Sequence, residues 1–261
     1  TIPSYLSHLL YHKREAGVAS GIVNAPDRSF NPQIDPYLPE EYGPRRHHTI
    51  KPKLKKDLQK RLLLKEDPSV PILFWPSRLD PIQKGCSLLA DILFQLINDY
   101  NHLGLQIVMI ADGPYQQHFQ GIVAHHGISD RIAVQPFSES LSHLGYGGSD
   151  FVLMPSSFEP CGLPQMIGCR YGSLPIAHAT GGLKDTVRHL NIHENTGNGF
   201  LFEHFTTDGF RWAIDQAMEF YQLSPDHKNP QIKRIMEQSK EDFSDERVVA
   251  DYQKLYNDLV N

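Results

Sequence analysis

Short runs of apolar residues alternate along this chain with longer segments in which apolar positions recur every three or four residues. A continuous apolar run of four to seven residues is typical of a strand buried on both faces, and the longer spacing is typical of a helix that covers a sheet. The pattern predicts strands at six places: residues 72–76, 105–111, 132–135, 151–154, 174–178 and 200–202.

Helices are predicted between and after these strands. The clearest pattern lies in residues 86–100, where Leu89, Ile92, Leu93 and Leu96 fall on one apolar stripe. Further helices are predicted at residues 115–126, 139–146, 163–171, 183–190 and 206–221. Strands that alternate with covering helices favour an α/β fold, with a Rossmann-like parallel sheet of six strands.

The two ends of the chain differ from this regular middle. Residues 23–50 are rich in Pro, Asn, Asp and His without periodicity, so we expect a connector and not a core element. The basic stretch 51–61 is expected to be the solvated face of a helix. A helix is predicted at residues 5–15, and another at 245–260, with Val249, Tyr252 and Tyr256 on one apolar face.

Composition and charge exclude several classes of partner. The 261 residues include 25 basic and 30 acidic side chains, giving a net charge of −5 without a long basic run, so nucleic acid is not an expected partner. No apolar run approaches the roughly 18 residues of a membrane span, and no signal peptide opens the chain, so we expect no membrane association. Three unpaired cysteines favour a reducing compartment. No metal-ligand spacing is found, and no metal site is expected.

The segment 151–171 carries the most specific chemistry. A buried strand is followed by a polar turn with Glu159, and then by Gly162 at the start of a helix. This order places free backbone N–H groups and the positive end of a helix dipole at the carboxyl end of a strand, where a diphosphate can bind. Glu159 could hold a hydroxylated group beside it, although a carboxylate that merely caps the helix remains the alternative.

Several motifs together are similar to a known family. They are Glu159-Pro160-Cys161-Gly162-Leu163, Tyr171-Gly172, Thr180-Gly181-Gly182-Leu183, and the loop from Ser77-Arg78-Leu79-Asp80 to Gln83-Lys84-Gly85. These motifs resemble the nucleotide-sugar half of bacterial glycogen synthases and plant starch synthases. The Lys-x-Gly-Gly-Leu loop of that family's first domain has no counterpart here.

The resemblance implies the second domain of a GT-B two-domain glycosyltransferase. It assigns residues 1–50 to a remnant helix of the first domain and the interdomain linker. Residues 51–238 become the Rossmann-like domain that binds the nucleotide sugar, and residues 239–261 the helix that crosses back to the first domain. The apolar face of that last helix would then lack part of its partner.

The resemblance also implies roles for three charged residues. Arg78 and Lys84 would be catalytic cations that meet the charge growing on a departing diphosphate, and Glu159 would hydrogen-bond the donor sugar. Such transfer needs neither metal nor cofactor. The chain departs from the family pattern in three places: Arg78 and Lys84 are six residues apart instead of five, Ser157 replaces an Arg, and Pro164 replaces a Thr.

The resemblance also implies that a further set of residues binds the nucleotide and the donor. The set comprises Gly113, Phe137, Cys161, Gly162, Leu163, Thr180, Gly181 and Gly182. Phe137 would stack on the base, with a core position as the alternative, and Gly113 would let the backbone approach the nucleotide. Gly162 and Leu163 would donate backbone N–H groups to the phosphates. The Cys161 thiol is expected to be a packed side chain and not a nucleophile, because no base lies nearby in the sequence.

The leading hypothesis is therefore the donor-binding half of a retaining α-1,4-glucan synthase, with ADP-glucose as donor and a glucan chain as acceptor. Its remaining partner would be the first domain of the same protein, and its location the bacterial cytoplasm or the plastid stroma. The isolated chain is expected to be nearly inactive. Two alternatives stay open: a non-catalytic nucleotide or glucan binding module, and a GT-B enzyme with a small acceptor.

Overall fold

A parallel sheet of six strands forms the centre of the computed structural model, which describes residues 4–260. The strands are β1 (Ile72–Trp75), β2 (Gln106–Ile110), β3 (Ile132–Gln135), β4 (Phe151–Met154), β5 (Leu174–His178) and β6 (Phe200–Phe202). Their order is β3-β2-β1-β4-β5-β6, and each neighbouring pair is parallel. The order reverses between β1 and β4, which is where open α/β sheets form their binding crevice.

Ten α-helices surround the sheet within the described residues. They are α1 (Ser4–Glu15), α2 (His47–Arg61), α3 (Cys86–Asp99), α4 (Gln116–His126), α5 (Glu139–Gly148), α6 (Pro164–Tyr171), α7 (Gly181–Thr186), α8 (Thr207–Tyr221), α9 (Pro225–Asp242) and α10 (Asp245–Val260). Apolar side chains of α3, α4 and α8 pack on one face of the sheet, and those of α2 and α5 on the other. Both faces are thus covered, as the apolar strands require.

The predicted elements agree closely with this architecture. All six strands are confirmed to within one residue at each end, and the predicted fold class is confirmed with them. The helix predicted at 183–190 is wrong in length, because α7 ends at Thr186 and the chain then forms bridges between His189 and Gly199 and between Asn191 and Thr196. Helix α9 was not predicted.

The connector 23–50 contributes to the core, contrary to expectation. Leu38, Tyr42 and Ile50 are buried against the sheet face that α2 and α5 cover. The Tyr42 hydroxyl donates to the Tyr171 carbonyl at 2.7 Å. The buried Asp35 carboxylate lies 2.8 Å from His143 Nδ1 and accepts from the Tyr171 hydroxyl at 2.5 Å. Polar contacts therefore fasten a segment that has no apolar periodicity of its own.

The basic stretch 51–61 of α2 is only in part the solvated face that its sequence suggests: four of its six basic side chains are exposed, but Lys51 and Lys55 are buried. Lys55 is buried, and its Nζ donates to the Asp150 carboxylate at 2.6 Å and to the Val70 carbonyl at 2.7 Å. Lys51 Nζ donates to neutral acceptors, namely the carbonyls of Tyr146, Gly147 and Tyr171 and the Ser173 hydroxyl. Burial lowers the pKa of Lys51 to about 7.

The last helix leaves its apolar face exposed, as predicted. No residue of α10 is buried, and Val249, Tyr252 and Tyr256 are among its exposed residues. Beside it, Arg170 on α6 donates to the Phe243 carbonyl between α9 and α10 and to the Pro26 carbonyl of the connector.

The predicted domain limits stay a prediction. The limit at 50/51 falls inside α2, and that at 238/239 falls inside α9. The outermost residues, 1–3 and 261, lie outside the described part of the chain. Among residues 4–260, no helix is long and apolar enough to cross a membrane.

Candidate active site at the carboxyl edge of the sheet

A buried ion pair joins the loops that follow β1 and β4. Lys84 Nζ lies 2.5 Å from Glu159 Oε2, with side-chain exposures of only 12% and 9%. The two residues are 75 positions apart in sequence and meet because β1 and β4 are neighbours in the sheet. Helix α6 begins at Pro164 without a side-chain cap, so the alternative in which Glu159 merely caps this helix is wrong.

Two polar residues that the sequence did not single out support Glu159. The Ser156 hydroxyl donates to Glu159 Oε2 at 3.2 Å, and His178 Nδ1 lies 2.8 Å from the Ser156 carbonyl oxygen. Both are buried, at the ends of β4 and β5. A lone Ser and a lone His carry no spacing pattern; their only signal is that Ser156 follows a predicted strand and His178 ends one.

The turn at Gly162 and Leu163 precedes the first turn of α6. Gly162 has a φ of +74°, and among residues 4–260 the N–H groups of Gly162 and Leu163 have no backbone or side-chain acceptor. The buried Gln165 amide donates to the carbonyls of Cys161 and Gly162 at 3.2 and 2.9 Å, and to Thr186 Oγ1 at 3.0 Å. Gln165, which the sequence analysis also did not identify, thus fixes the carbonyls of the turn by hydrogen bonds. N–H groups at a helix N-terminus suit an anion.

The segment Thr180-Gly181-Gly182 lies against this turn. The Gly182 N–H donates to the Glu159 carbonyl at 2.9 Å. A Cβ atom on Gly181 would lie 2.2 Å from the Glu159 carbonyl oxygen, and one on Gly182 would lie 2.1 Å from that of Cys161. Only glycine fits at both positions. The Cys161 thiol is free and partly buried.

A cavity of about 380 Å³ lies across the ends of β1, β2 and β3, and the loop after β1 that leads to Lys84 lines one side of it with Arg78 and Asp80. Its walls include Arg78, Asp112, Gly113 and Phe137. Phe137 is 57% exposed, and its N–H donates to Asp112 Oδ1 at 3.0 Å, so the core position considered for this side chain is wrong. A Cβ on Gly113, whose φ is +151°, would lie 2.5 Å from the Leu79 carbonyl oxygen. Gly113 therefore lets the loop after β2 pack closely against the loop after β1.

The predicted site residues fall into two adjoining groups. Arg78, Gly113 and Phe137 surround the cavity, and Arg78 is exposed with no ion pair found in the described chain. The other group surrounds the turn after β4: Lys84, Glu159, Cys161, Gly162, Leu163, Thr180, Gly181 and Gly182. Residues 4–260 contain no cluster of three or more metal-ligating side chains. The loop after β1 joins the two groups, because it carries Arg78 at the cavity and Lys84 at the turn.

The chain is similar to proteins of known family. The sequence profile of the glycosyl transferases group 1 matches residues 55–233. A glycogen synthase of Desulforamulus reducens is 35% identical over 268 residues, covering 99% of this chain and 52% of the relative. A glycogen synthase of Exiguobacterium sibiricum is 39% identical over 241 residues, covering 90% of this chain and 47% of the relative.

A solved structure gives the same result. The catalytic domain of starch synthase IV from Arabidopsis thaliana, bound to ADP and acarbose, superposes with a TM-score of 0.82 at 31% identity. The match covers 96% of this chain and 50% of that one. The chain therefore spans about half the length of the relatives it matches. The resemblance predicted from the motifs is confirmed, and the chain belongs to the group 1 glycosyl transferases.

Proposed function

We propose that this chain is the donor-binding half of a retaining α-1,4-glucan synthase, which transfers glucose from ADP-glucose to the non-reducing end of a glycogen or starch chain. The glucan acceptor and the other half of the protein are its partners. The reaction needs no metal or cofactor, and it takes place in a reducing compartment, the bacterial cytoplasm or the plastid stroma.

The observation that carries the proposal is the buried Lys84–Glu159 pair beside the free N–H groups of Gly162 and Leu163. Breaking the bond between sugar and diphosphate leaves negative charge on the phosphate oxygens, which fixed cations and N–H dipoles stabilise. Lys84 and Arg78 supply the cations, and the turn before α6 supplies the dipoles. Glu159 accepts a hydrogen bond from a sugar hydroxyl.

The base of the nucleotide belongs in the neighbouring cavity. Its exposed Phe137 offers a face on which adenine stacks, while Gly113 keeps the cavity wall close to the backbone. The ADP in the starch synthase IV complex and the glycogen synthase relatives support ADP-glucose as the donor.

Titration calorimetry tests the donor proposal. The chain is titrated with ADP, UDP and their glucose esters, alongside Lys84→Ala. We expect ADP to bind more tightly than UDP, and Lys84→Ala to weaken ADP binding by roughly tenfold or more, because a charge-assisted contact contributes about 1.5–3 kcal/mol. Tighter binding of UDP, or unchanged ADP binding in the variant, contradicts the donor assignment.

The acceptor is tested separately, on the whole protein that contains this chain. Glucose from labelled ADP-glucose is expected to enter precipitable glycogen. Transfer to small sugars without glucan labelling would support the small-acceptor enzyme instead. Nucleotide binding without any transfer would support the non-catalytic module.

A further inference from the structure

One serine in the turn that carries Glu159 makes several hydrogen bonds to the loop that carries Lys84. The Ser157 hydroxyl donates to the Ile82 carbonyl at 2.9 Å and approaches that of Gln83 at 3.2 Å. The Ser157 N–H also donates to the Gln83 carbonyl at 2.8 Å. Ser157 thus contacts the two residues that precede Lys84, and it stands two residues before Glu159.

The tip of the Lys84 loop has few other restraints. Inside the loop, Asp80 Oδ1 accepts from the N–H groups of Ile82 and Gln83 at 2.9 and 2.7 Å, which lowers the pKa of Asp80 and holds the turn as a unit. The Ile82 side chain is 81% exposed, so no apolar packing secures the tip. The Ser157 hydroxyl, at 2.9 Å from the Ile82 carbonyl, therefore makes the shorter of two side-chain contacts between the tip and the Glu159 turn; the other is a 3.4 Å hydrogen bond from Gln83 Nε2 to the Phe158 carbonyl.

We propose that Ser157 is a positioning residue that aims the Lys84 ammonium at the donor diphosphate; this rests on the proposed function. The segment from Arg78 to Lys84 is one residue longer than in the family pattern that it resembles, and the Ser157 hydroxyl holds the tip of this longer loop against the Glu159 turn. Ser157 and the longer loop thus work together, and the loss of an Arg at 157 does not by itself weaken the site.

The test compares Ser157→Ala and Ser157→Thr in ADP titrations of this chain. Ser157→Ala keeps the backbone bond to Gln83 and loses only the hydroxyl, so we expect ADP to bind about three- to tenfold more weakly, the range of one neutral hydrogen bond. Ser157→Thr keeps the hydroxyl and should bind ADP within twofold of the parent. Ser69→Ala removes another loop hydroxyl, one that donates to Asp67, and serves as the matched control with unchanged ADP affinity.

A double-mutant cycle separates positioning from a general effect on the fold. In a Lys84→Ala background, Ser157→Ala should weaken ADP binding by less than twofold, because the cation that it positions is gone. If Lys84→Ala does not fold, the background is Lys84→Met combined with Glu159→Gln, which removes both buried charges. An equal loss in both backgrounds overturns the inference.

The two proposals fail in different ways. If Lys84→Ala weakens ADP binding while Ser157→Ala binds like the parent, the positioning role is wrong and the donor site stands. If the parent does not bind ADP, or Lys84→Ala binds it equally well, the donor site is wrong and the role of Ser157 falls with it.

Discussion

Lys84 and Arg78 are both assigned to the phosphates, but they sit in different surroundings. Lys84 is largely buried against Glu159, with 12% of its side chain exposed, whereas Arg78 is exposed at the cavity wall. Removing one member of a buried pair leaves the other charge uncompensated, which typically costs about 3–5 kcal/mol. An exposed Arg carries no such cost.

This contrast gives a prediction for the two cations. Lys84→Ala should lower the free energy of unfolding by several kcal/mol and weaken ADP binding, while Arg78→Ala should weaken ADP binding at nearly unchanged stability. The affinity loss in Arg78→Ala should shrink as salt rises, because salt screens exposed charges. Urea unfolding and ADP titrations at two salt concentrations measure both effects. Equal stability losses in the two variants would contradict the difference in burial.

A second prediction concerns Phe137. Because its ring is more than half exposed, Phe137→Ala should weaken ADP binding while lowering the melting temperature only slightly. Phe137→Tyr should preserve both properties, since the added hydroxyl reaches water.

Phe119, which is fully buried, provides the matched control. Phe119→Ala should cost about 3–5 kcal/mol of stability, the usual loss for a core Phe. Thermal unfolding and ADP titration of the variants give the comparison. A large fall in melting temperature with unchanged ADP affinity in Phe137→Ala would contradict the proposal that adenine stacks on Phe137.

Helix α2 buries polar side chains alongside the apolar side chains of Ile50, Leu54 and Leu58. Its buried face includes His47, Lys51, Lys55 and Gln59, whose polar ends find partners inside the protein. The four-residue apolar spacing is present in the sequence, but the many polar residues between those positions and Pro52 obscure it. Helix α9 was missed for a related reason, since it is strongly polar and contains Pro230.

Burial of His47 at the start of α2 predicts a stability change in acid. Burial lowers the pKa of His47 to about 4, from an unfolded value near 6.5. Between these values the unfolded chain binds a proton that the folded chain does not. The contribution of His47 to the free energy of unfolding should therefore be constant above pH 6.5 and fall as the pH drops toward 4, by on the order of 1 kcal/mol per pH unit.

Urea unfolding at pH 7, 6 and 5 measures this slope. His47→Leu should have a smaller slope than the parent in this window. The neighbouring His48 is exposed, so His48→Leu should keep the slope of the parent. If the free energy of unfolding had the same slope against pH in the parent and in His47→Leu, the pKa of His47 would not be lowered in the folded chain.

The strands were predictable because parallel strands buried on both faces read as unbroken apolar runs, as in Phe151–Met154. The motif residues were predictable as a group, because the sheet order brings the ends of β1 and β4 together. Ser156, Gln165 and His178 were not, since each acts through hydrogen bonds formed only in the folded chain.

At the scale of the whole molecule, the chain spans about half the length of its relatives. We therefore expect this chain alone to bind ADP but to transfer little or no glucose, because the acceptor groove is assigned to the other half. Incorporation of labelled glucose into glycogen, measured for the chain alone and for the whole protein, checks this. Robust glucan synthesis by the 261 residues alone would contradict the proposed division of the site.

The seam between β1 and β4 divides the sheet into two halves, β1 to β3 and β4 to β6, and is held by the paired positions Leu73–Phe151 and Phe74–Val152. Lys84 belongs to one half and Glu159 to the other. A ligand held by both side chains acts as a bridge across this seam, and its binding free energy adds to the cohesion of the two halves. Separating the two halves of the sheet should therefore require more free energy when the ligand is bound than when the site is empty.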